Sequence, residues 1–301
     1  MGFREKMSLE IYNVGIVKKP IGKILRSGIA AGEITWMRHP YRDRFFADPF
    51  LWYQDDSFYY ILAEEYIFWE RKGKISCLKV QKSDFSLADK EVVIEEPVHL
   101  SFPFCEEGGD TVIPESVRME GLYAYRLDME THKIKSREKL SDIPMIDTVR
   151  FKCSTGDWFF TCTRENPYTD LYLYRYEDGV MKEPLPNPVK KSIRASRSAG
   201  RIFRYGKEFY RPTQVSEGKY GHETALNRIL QLNDAGYDTL ETAVLSSRCN
   251  PPFNQALHTF NGYKDFSIVD GEYDALRPAS KIIYRIRRIF HETPATRAGR
   301  R

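Results

Sequence analysis

Short runs alternating apolar and polar residues recur along the chain at a spacing of about fifty residues. Each copy has the same order: a polar or small residue, a strand ending near a phenylalanine, a polar turn, then an aromatic-rich strand. The copies are ADPFLWYQDDSFYYILAEE (47–65), SFPFCEEGGDTVIPES (101–116), IDTVRFKCSTGDWFFTCT (146–163), RSAGRIFRYGKEFYRPTQ (197–214) and HTFNGYKDFSIVDG (258–271). Their landmarks Phe50, Phe104, Phe151, Phe203 and Phe260 stand 54, 47, 52 and 57 residues apart. The turns at Asp55-Asp56, Gly108-Gly109-Asp110, Thr155-Gly156-Asp157 and Tyr205-Gly206 hold the residue types that accept positive φ or bond their own backbone, as tight hairpins require. Third strands are predicted at 74–80, 122–127, 171–176 and 227–232, where side chains alternate with period two, and weaker fourth strands at 92–96 and 242–246.

Repeats at this period, each able to supply a four-stranded antiparallel sheet, predict an all-β fold, a five-bladed β-propeller. It would be one domain over residues 1–280, with IYNVGIV (11–17) adding an outer strand to the last blade and closing the ring. A β-sandwich also shows many short strands with regular turns, but five evenly spaced copies argue against it.

Composition supports the strand assignment. Aromatic residues make up 14% of the 301 positions, and such side chains favour pleated, half-buried surfaces. No run of about 18 apolar residues occurs, which excludes a membrane-spanning helix, and MGFREKMSLE lacks the apolar core of a signal peptide. Five scattered cysteines without a C-x-x-C pair read as reduced thiols in a cytoplasmic protein. The net charge of +4 is uneven: residues 281–301 carry +6 and the rest −2, so charge gives the body no nucleic-acid-binding surface. P-loop, GxGxxG and HExxH patterns are absent, so neither metal nor cofactor is expected.

In a propeller the innermost strands line a central channel, and polar residues at their starts converge from blades far apart in sequence. Those positions hold Asp48, Ser101, Asp147, Arg197 and His258. The ends of the second strands hold Glu64, Glu115, Arg211, Gln214 and Asp270, which can reach the same face. Asp48, Glu115 and Asp147 have apolar neighbours in sequence, a setting that raises a carboxyl pKa. One carboxyl kept protonated beside another that ionises is the apparatus of glycosidic-bond chemistry. Each also has a structural alternative: Asp-Pro is a common turn device, Asp147 can cap a turn or pair with an arginine, and His258 fits either a sugar-hydroxyl partner or a core histidine.

The ordered set FADPF with YYILAEE, HLSFPF…VIPES, IDTVRF…DWFFTCT, RSAGRIF…KEFYRPTQ…YG and LHTF…IVDG resembles the N-terminal domain of glucosamine inositolphosphorylceramide transferase and its bacterial relatives. The resemblance spans about residues 11–272. That domain is in turn similar to the five-bladed propellers of arabinanases, β-xylosidases and invertases. The resemblance implies a carbohydrate-active protein with Asp48 as general base, Glu115 as general acid and Asp147 as the carboxylate that tunes the acid. In the hydrolases the acid and the tuning residue come in the opposite blade order, a departure in this chain. Glu64, Ser101, Arg197, Arg211, Gln214, Tyr220 and His258 are the expected substrate-binding set. The bacterial relatives resemble cytoplasmic surface-polysaccharide proteins, which points to a nucleotide- or lipid-linked sugar or glycan as substrate and to no nucleic-acid partner. The alternative is a non-catalytic glycan-binding module of polysaccharide biosynthesis; a protein-interaction scaffold would need no polar central pocket.

Beyond the propeller, Lys281–His291 fits a short basic amphipathic helix with Ile282, Ile286 and Ile289 on one face. It suits either an anionic membrane surface, as a peripheral contact with the inner membrane, or the side of the propeller. Residues 292–301 read as a disordered tail.

Overall fold

A computed structural model describes residues 8–276. The segment expected as a basic helix, 281–291, and the tail 292–301 lie outside the described residues. The chain forms a five-bladed β-propeller of antiparallel sheets, as the repeat predicts. From the axis outward, the first blade is Arg44–Gln54, Phe58–Ile67, Lys72–Gln81 and Leu87–Ile94, and the second Ser101–Cys105, Thr111–Glu115, Leu122–Leu127 and Ile134–Ser141. The third is Ile146–Cys153, Gly156–Cys162, Asp170–Glu177 and Val180–Lys182, with Lys190–Lys191 as an extra edge piece. The fourth is Phe203–Tyr205, Glu208–Val215, Glu223–Asn233 and Gly236–Leu245.

The fifth blade joins both ends of the described chain. Phe260–Gly262 and Ser267–Leu276 supply its inner half. Ser8–Val17 pairs along the whole of Ser267–Leu276, and Ile34–Trp36 closes the outer edge. The expected closing strand thus lies in the outer half of the last blade, third from the axis, with Ile34–Trp36 outside it. Between these strands lies a helix that alternation could not reveal, Ile21–Ser27. Pro20 precedes it, a residue whose fixed φ suits a helix start, and Gly28 ends it at φ 63°. Ile21 and Ile24 bury its inner face against Phe203, Leu257 and Phe260.

The edge strands Ile134–Ser141 and Val180–Lys182 carry no alternating apolar pattern and were not expected. The first is largely exposed and charged, IKSREKLS, the composition that keeps an open sheet edge from pairing with another chain. The landmark phenylalanines are all buried. Phe50 packs edge-on against Phe104 with ring centroids 6.0 Å apart, and Phe203 lies 6.1 Å from Phe260. Each such ring contributes roughly 1.5–3 kcal/mol by leaving water, so the repeat marks the seam between neighbouring blades.

One backbone feature aims the site. In each of the first three blades the inner strand slips register near its start: between Ala47 and Phe50, Ser101 and Phe104, and Ile146 and Val149. Asp48, Phe102 and Asp147 there adopt left-handed φ values of 51°, 42° and 44°. A bulge of this kind re-aims a side chain relative to the pleat. Aspartate tolerates the conformation better than most residues.

Candidate active site

At the mouth where the inner strands begin, a cavity of about 570 Å³ opens among the blades. Its wall includes Asp48, Glu64, Ser101, Glu115, Asp147, Arg197, Tyr220 and His258, brought together from all five blades. Antiparallel pairing explains why second strands contribute too: Glu64 pairs opposite Ala47, and Glu115 opposite Ser101, so both return to the mouth where their inner strands started.

Arg211 and Gln214 sit behind this wall rather than in it. Arg211 is fully buried and donates to the carbonyls of Ala195 (2.8 Å) and Ser196 (2.5 Å) and to Ser198 Oγ (3.2 Å). It staples the irregular start of the fourth blade. Gln214 donates to Asp147 Oδ2 at 3.0 Å and supports that carboxylate from below.

Asp48 is enclosed by donors. Thr259 Oγ1 donates to Oδ1 (2.8 Å) and the Phe102 backbone N–H to Oδ2 (3.2 Å), while His258 Nε2 lies 3.3 Å from Oδ1. Burial pushes its pKa up to about 6, against the lowering effect of the His258 charge. His258 shows the opposite balance. Burial alone would depress it, but Asp270 Oδ2, 2.8 Å from Nδ1, and Asp48 outweigh that and push it up to about 10, so the ring is an imidazolium. Asp270 also accepts the backbone N–H groups of Asp48 (3.1 Å), His258 (3.1 Å) and Thr259 (2.9 Å). Asp48, His258 and Asp270 have the spacing of a metal-ligand group, yet Asp270 already accepts three backbone N–H groups and the cationic His258 lies between the two carboxylates. The donor set fits a buried ion triad better than a cation site.

Across the cavity, Arg197 Nε donates to Asp147 Oδ2 at 2.6 Å, and Nη2 lies 3.6 Å from Glu115 Oε2. Its guanidinium is held over the rings of Tyr220 (5.0 Å) and Tyr168 (5.4 Å), contacts that fix its plane. Glu115 is buried, and its Oε2 has no hydrogen-bond partner among the described residues. Burial, with the Asp147 charge beside it, raises its pKa well above the usual carboxyl value; Arg197 offsets only part of this. Burial and the Asp48 charge raise Glu64 in the same way. His99 accepts the Gly73 N–H on Nδ1 (3.0 Å) and faces Glu64 through Nε2 (3.4 Å); burial holds its pKa down to about 4, so it stays neutral.

The alternation pattern did not single out several wall residues. His99 comes from a connection between blades. Tyr12 comes from the N-terminal strand and lies tilted against His258, with ring centroids 4.7 Å apart. Phe45 and Tyr66 stack on one another at 5.0 Å beside the carboxylates. An aromatic wall next to acids suits the apolar faces of sugar rings, but in sequence these rings look like ordinary strand residues.

Residues 31–268 match the family model described as "Glucosamine inositolphosphorylceramide transferase 1, N-terminal". The chain is 26% identical over 207 residues to glucosamine inositolphosphorylceramide transferase 1 of Oryza sativa subsp. japonica, covering 65% of this chain and 28% of that protein. Its likeness to the Arabidopsis thaliana protein of the same name is also 26%, over 214 residues, covering 65% of this chain and 27% of that one. The match thus spans little more than a quarter of these relatives. Among solved structures, a Mycobacterium tuberculosis puromycin-hydrolyzing peptidase aligns at a TM-score of 0.39 and 7% identity, over 72% of this chain and 33% of that chain. With most of its length matched, the chain belongs to the glucosamine inositolphosphorylceramide transferase 1 N-terminal family.

Proposed function

We propose that this family member is a carbohydrate-active enzyme that makes or breaks a glycosidic bond, with Asp48 as base and Glu115 as acid. One observation carries the proposal: two carboxyls line one cavity in contrasting surroundings, Asp48 beside the cationic His258 and Glu115 with an oxygen that has no hydrogen-bond partner among the described residues. Burial pushes Asp48 up to about 6 against the lowering effect of His258, and burial with the Asp147 charge raises Glu115 well above its usual range, a division that suits a base and an acid. Glu115 donates to the leaving glycosidic oxygen as the bond breaks, and Asp48 takes the proton from the incoming hydroxyl. Asp147, fixed by Arg197 and Gln214, sets the acid's pKa by its charge. The Phe45–Tyr66 wall stacks the sugar.

The incoming hydroxyl belongs to water in hydrolysis or to a glycan acceptor in transfer. The relatives' name states transfer of glucosamine to inositolphosphorylceramide, which favours transfer to a lipid-linked acceptor and makes that donor and acceptor class the first to assay. Contact of segment 281–291 with an anionic membrane would bring a cytoplasmic chain to such an acceptor.

The ion pairs favour a second reading, a glycan-binding module, because Asp147 and Asp48 each lie within 3.3 Å of a cationic side chain. Turnover of nucleotide-linked amino sugars with lipid-linked acceptors, and of aryl glycosides with water, is compared for the parent chain, Asp48→Asn and Glu115→Gln. Turnover abolished by either substitution, with sugar binding retained, supports the enzyme. Sugar binding without turnover in the parent chain leaves the module.

A further inference from the structure

At the opposite mouth, where the inner hairpins turn, a second cavity of about 720 Å³ lies between the tips of the second, fourth and fifth blades and helix Ile21–Ser27. Arg201 forms part of its floor. The residue is only 8% exposed, yet among the described residues its guanidinium makes no hydrogen bond. Its contacts are the face of Tyr263, 4.8 Å from the ring centroid, and Glu106 Oε2 at 3.7 Å, too long for a hydrogen bond.

Arg211, ten residues later in the chain, spends its two Nη groups on two carbonyls and a hydroxyl of its own blade. Arg201 is not among the buried groups left without a partner; its rigid planar fork of donors borders the open void that it helps to line.

Lys23, Arg26, Arg204 and Lys264 stand around the same void. Glu106, Glu107 and Asp265 are its carboxylates, so the lining is net cationic. A lone carboxylate ligand would engage one fork and leave the other cations without a role; a phosphate group, with up to two charges and several acceptor oxygens, uses them together. The three carboxylates are placed to accept hydroxyls of whatever carries the phosphate.

We propose that this mouth is a binding site for a phosphate-bearing ligand, anchored on Arg201 and separate from the carboxylate cavity. The phosphate can come from a soluble ester or from a phospholipid headgroup, and the test separates the two. Calorimetric titration of the full chain with inorganic phosphate at constant ionic strength forms one arm. Sedimentation with phosphatidylcholine vesicles, with and without phosphatidylglycerol, forms the other.

Expected is saturable binding in at least one arm that weakens about tenfold or more in Arg201→Gln and about threefold in Lys264→Ala, and is unchanged in Arg197→Gln at the other mouth. Binding to free phosphate identifies a soluble ester; an Arg201-dependent signal with vesicles alone identifies the headgroup. Should Arg201→Gln fail to fold, the exposed pair Arg204→Ala with Lys264→Ala replaces it, and affinity must fall at least threefold. No saturable binding in either arm, equal affinity in these variants, or a loss confined to Arg197→Gln overturns the proposal; ordered water would then fill the void.

Discussion

The first three blades and the last two build the same mouth with opposite charge. Blades one to three bring carboxyls: Asp48 and Glu64, then Glu115, then Asp147. Blades four and five bring Arg197 and the imidazolium of His258. The backbone differs in parallel. The acidic half uses inner strands bulged at a left-handed residue, whereas the cationic half has inner strands of only three residues, Phe203–Tyr205 and Phe260–Gly262, preceded by irregular chain. A repeated scaffold thus fixes where side chains meet without fixing what they are. The meeting of the two halves sets the proton affinities: Asp48 is moderated by His258, and the Glu115 pKa is raised because burial and Asp147 outweigh Arg197.

Breaking the acidic half should have the largest effect. Asp48→Asn removes the base while keeping its size, and turnover should fall about a thousandfold or more, with sugar affinity changed far less. Retained turnover would remove Asp48 from the chemistry. Glu115→Gln should lose about a hundredfold or more on substrates with poor leaving groups and much less on activated aryl glycosides, which need little protonation. Equal losses on both would deny Glu115 the acid role.

The charge balance across the mouth can be read from pH. Activity needs Asp48 ionised, so the rate should rise with pH through about 6 and fall again once Glu115 ionises. Because His258 lowers the Asp48 pKa, His258→Gln should move the rising limb to higher pH; an unmoved limb would break the link between the halves.

A smaller effect is expected on folding. The His258 pKa is raised to about 10 from an unfolded value of about 6.5. Its stabilisation is therefore fully present below about pH 6.5 and is lost as pH rises through 10, because the native state then gives up a proton that it held more tightly than the unfolded chain. Denaturant melts of parent and His258→Gln should differ most at low pH in this window and converge above 10. Smallest in reach is Arg211→Met, which should cost about 2–4 kcal/mol by leaving the Ala195 and Ser196 carbonyls without donors. It should leave the pH limbs unmoved, since Arg211 touches neither half of the mouth.

Much of this architecture was legible in the sequence. The spacing of Phe50, Phe104, Phe151, Phe203 and Phe260, with hairpin residues between, is enough for five blades, because each blade must bury the same seam and turn with the same chemistry. The polar residue at each inner-strand start was legible for the same reason. Helix Ile21–Ser27 and the charged edge strands were not, since seven residues are too few for a helical period and an exposed edge needs no apolar alternation.

Only the tertiary structure decided which polar residues face the void. Arg211 and Gln214 share a strand with the alternation that placed them beside the channel, yet they turn into the blade, because the fourth blade's inner strand is irregular there and its carbonyls need donors. Tyr12 and His99 join the wall from segments outside the repeat, and Asp270 stands behind the histidine rather than in the void. Sequence determined the number of blades and the positions that converge, because burial and turn geometry act locally and repeat. Charge state, side-chain direction and the open fork of Arg201 depend on neighbours that lie tens to hundreds of residues away along the chain, and only folding brings them together.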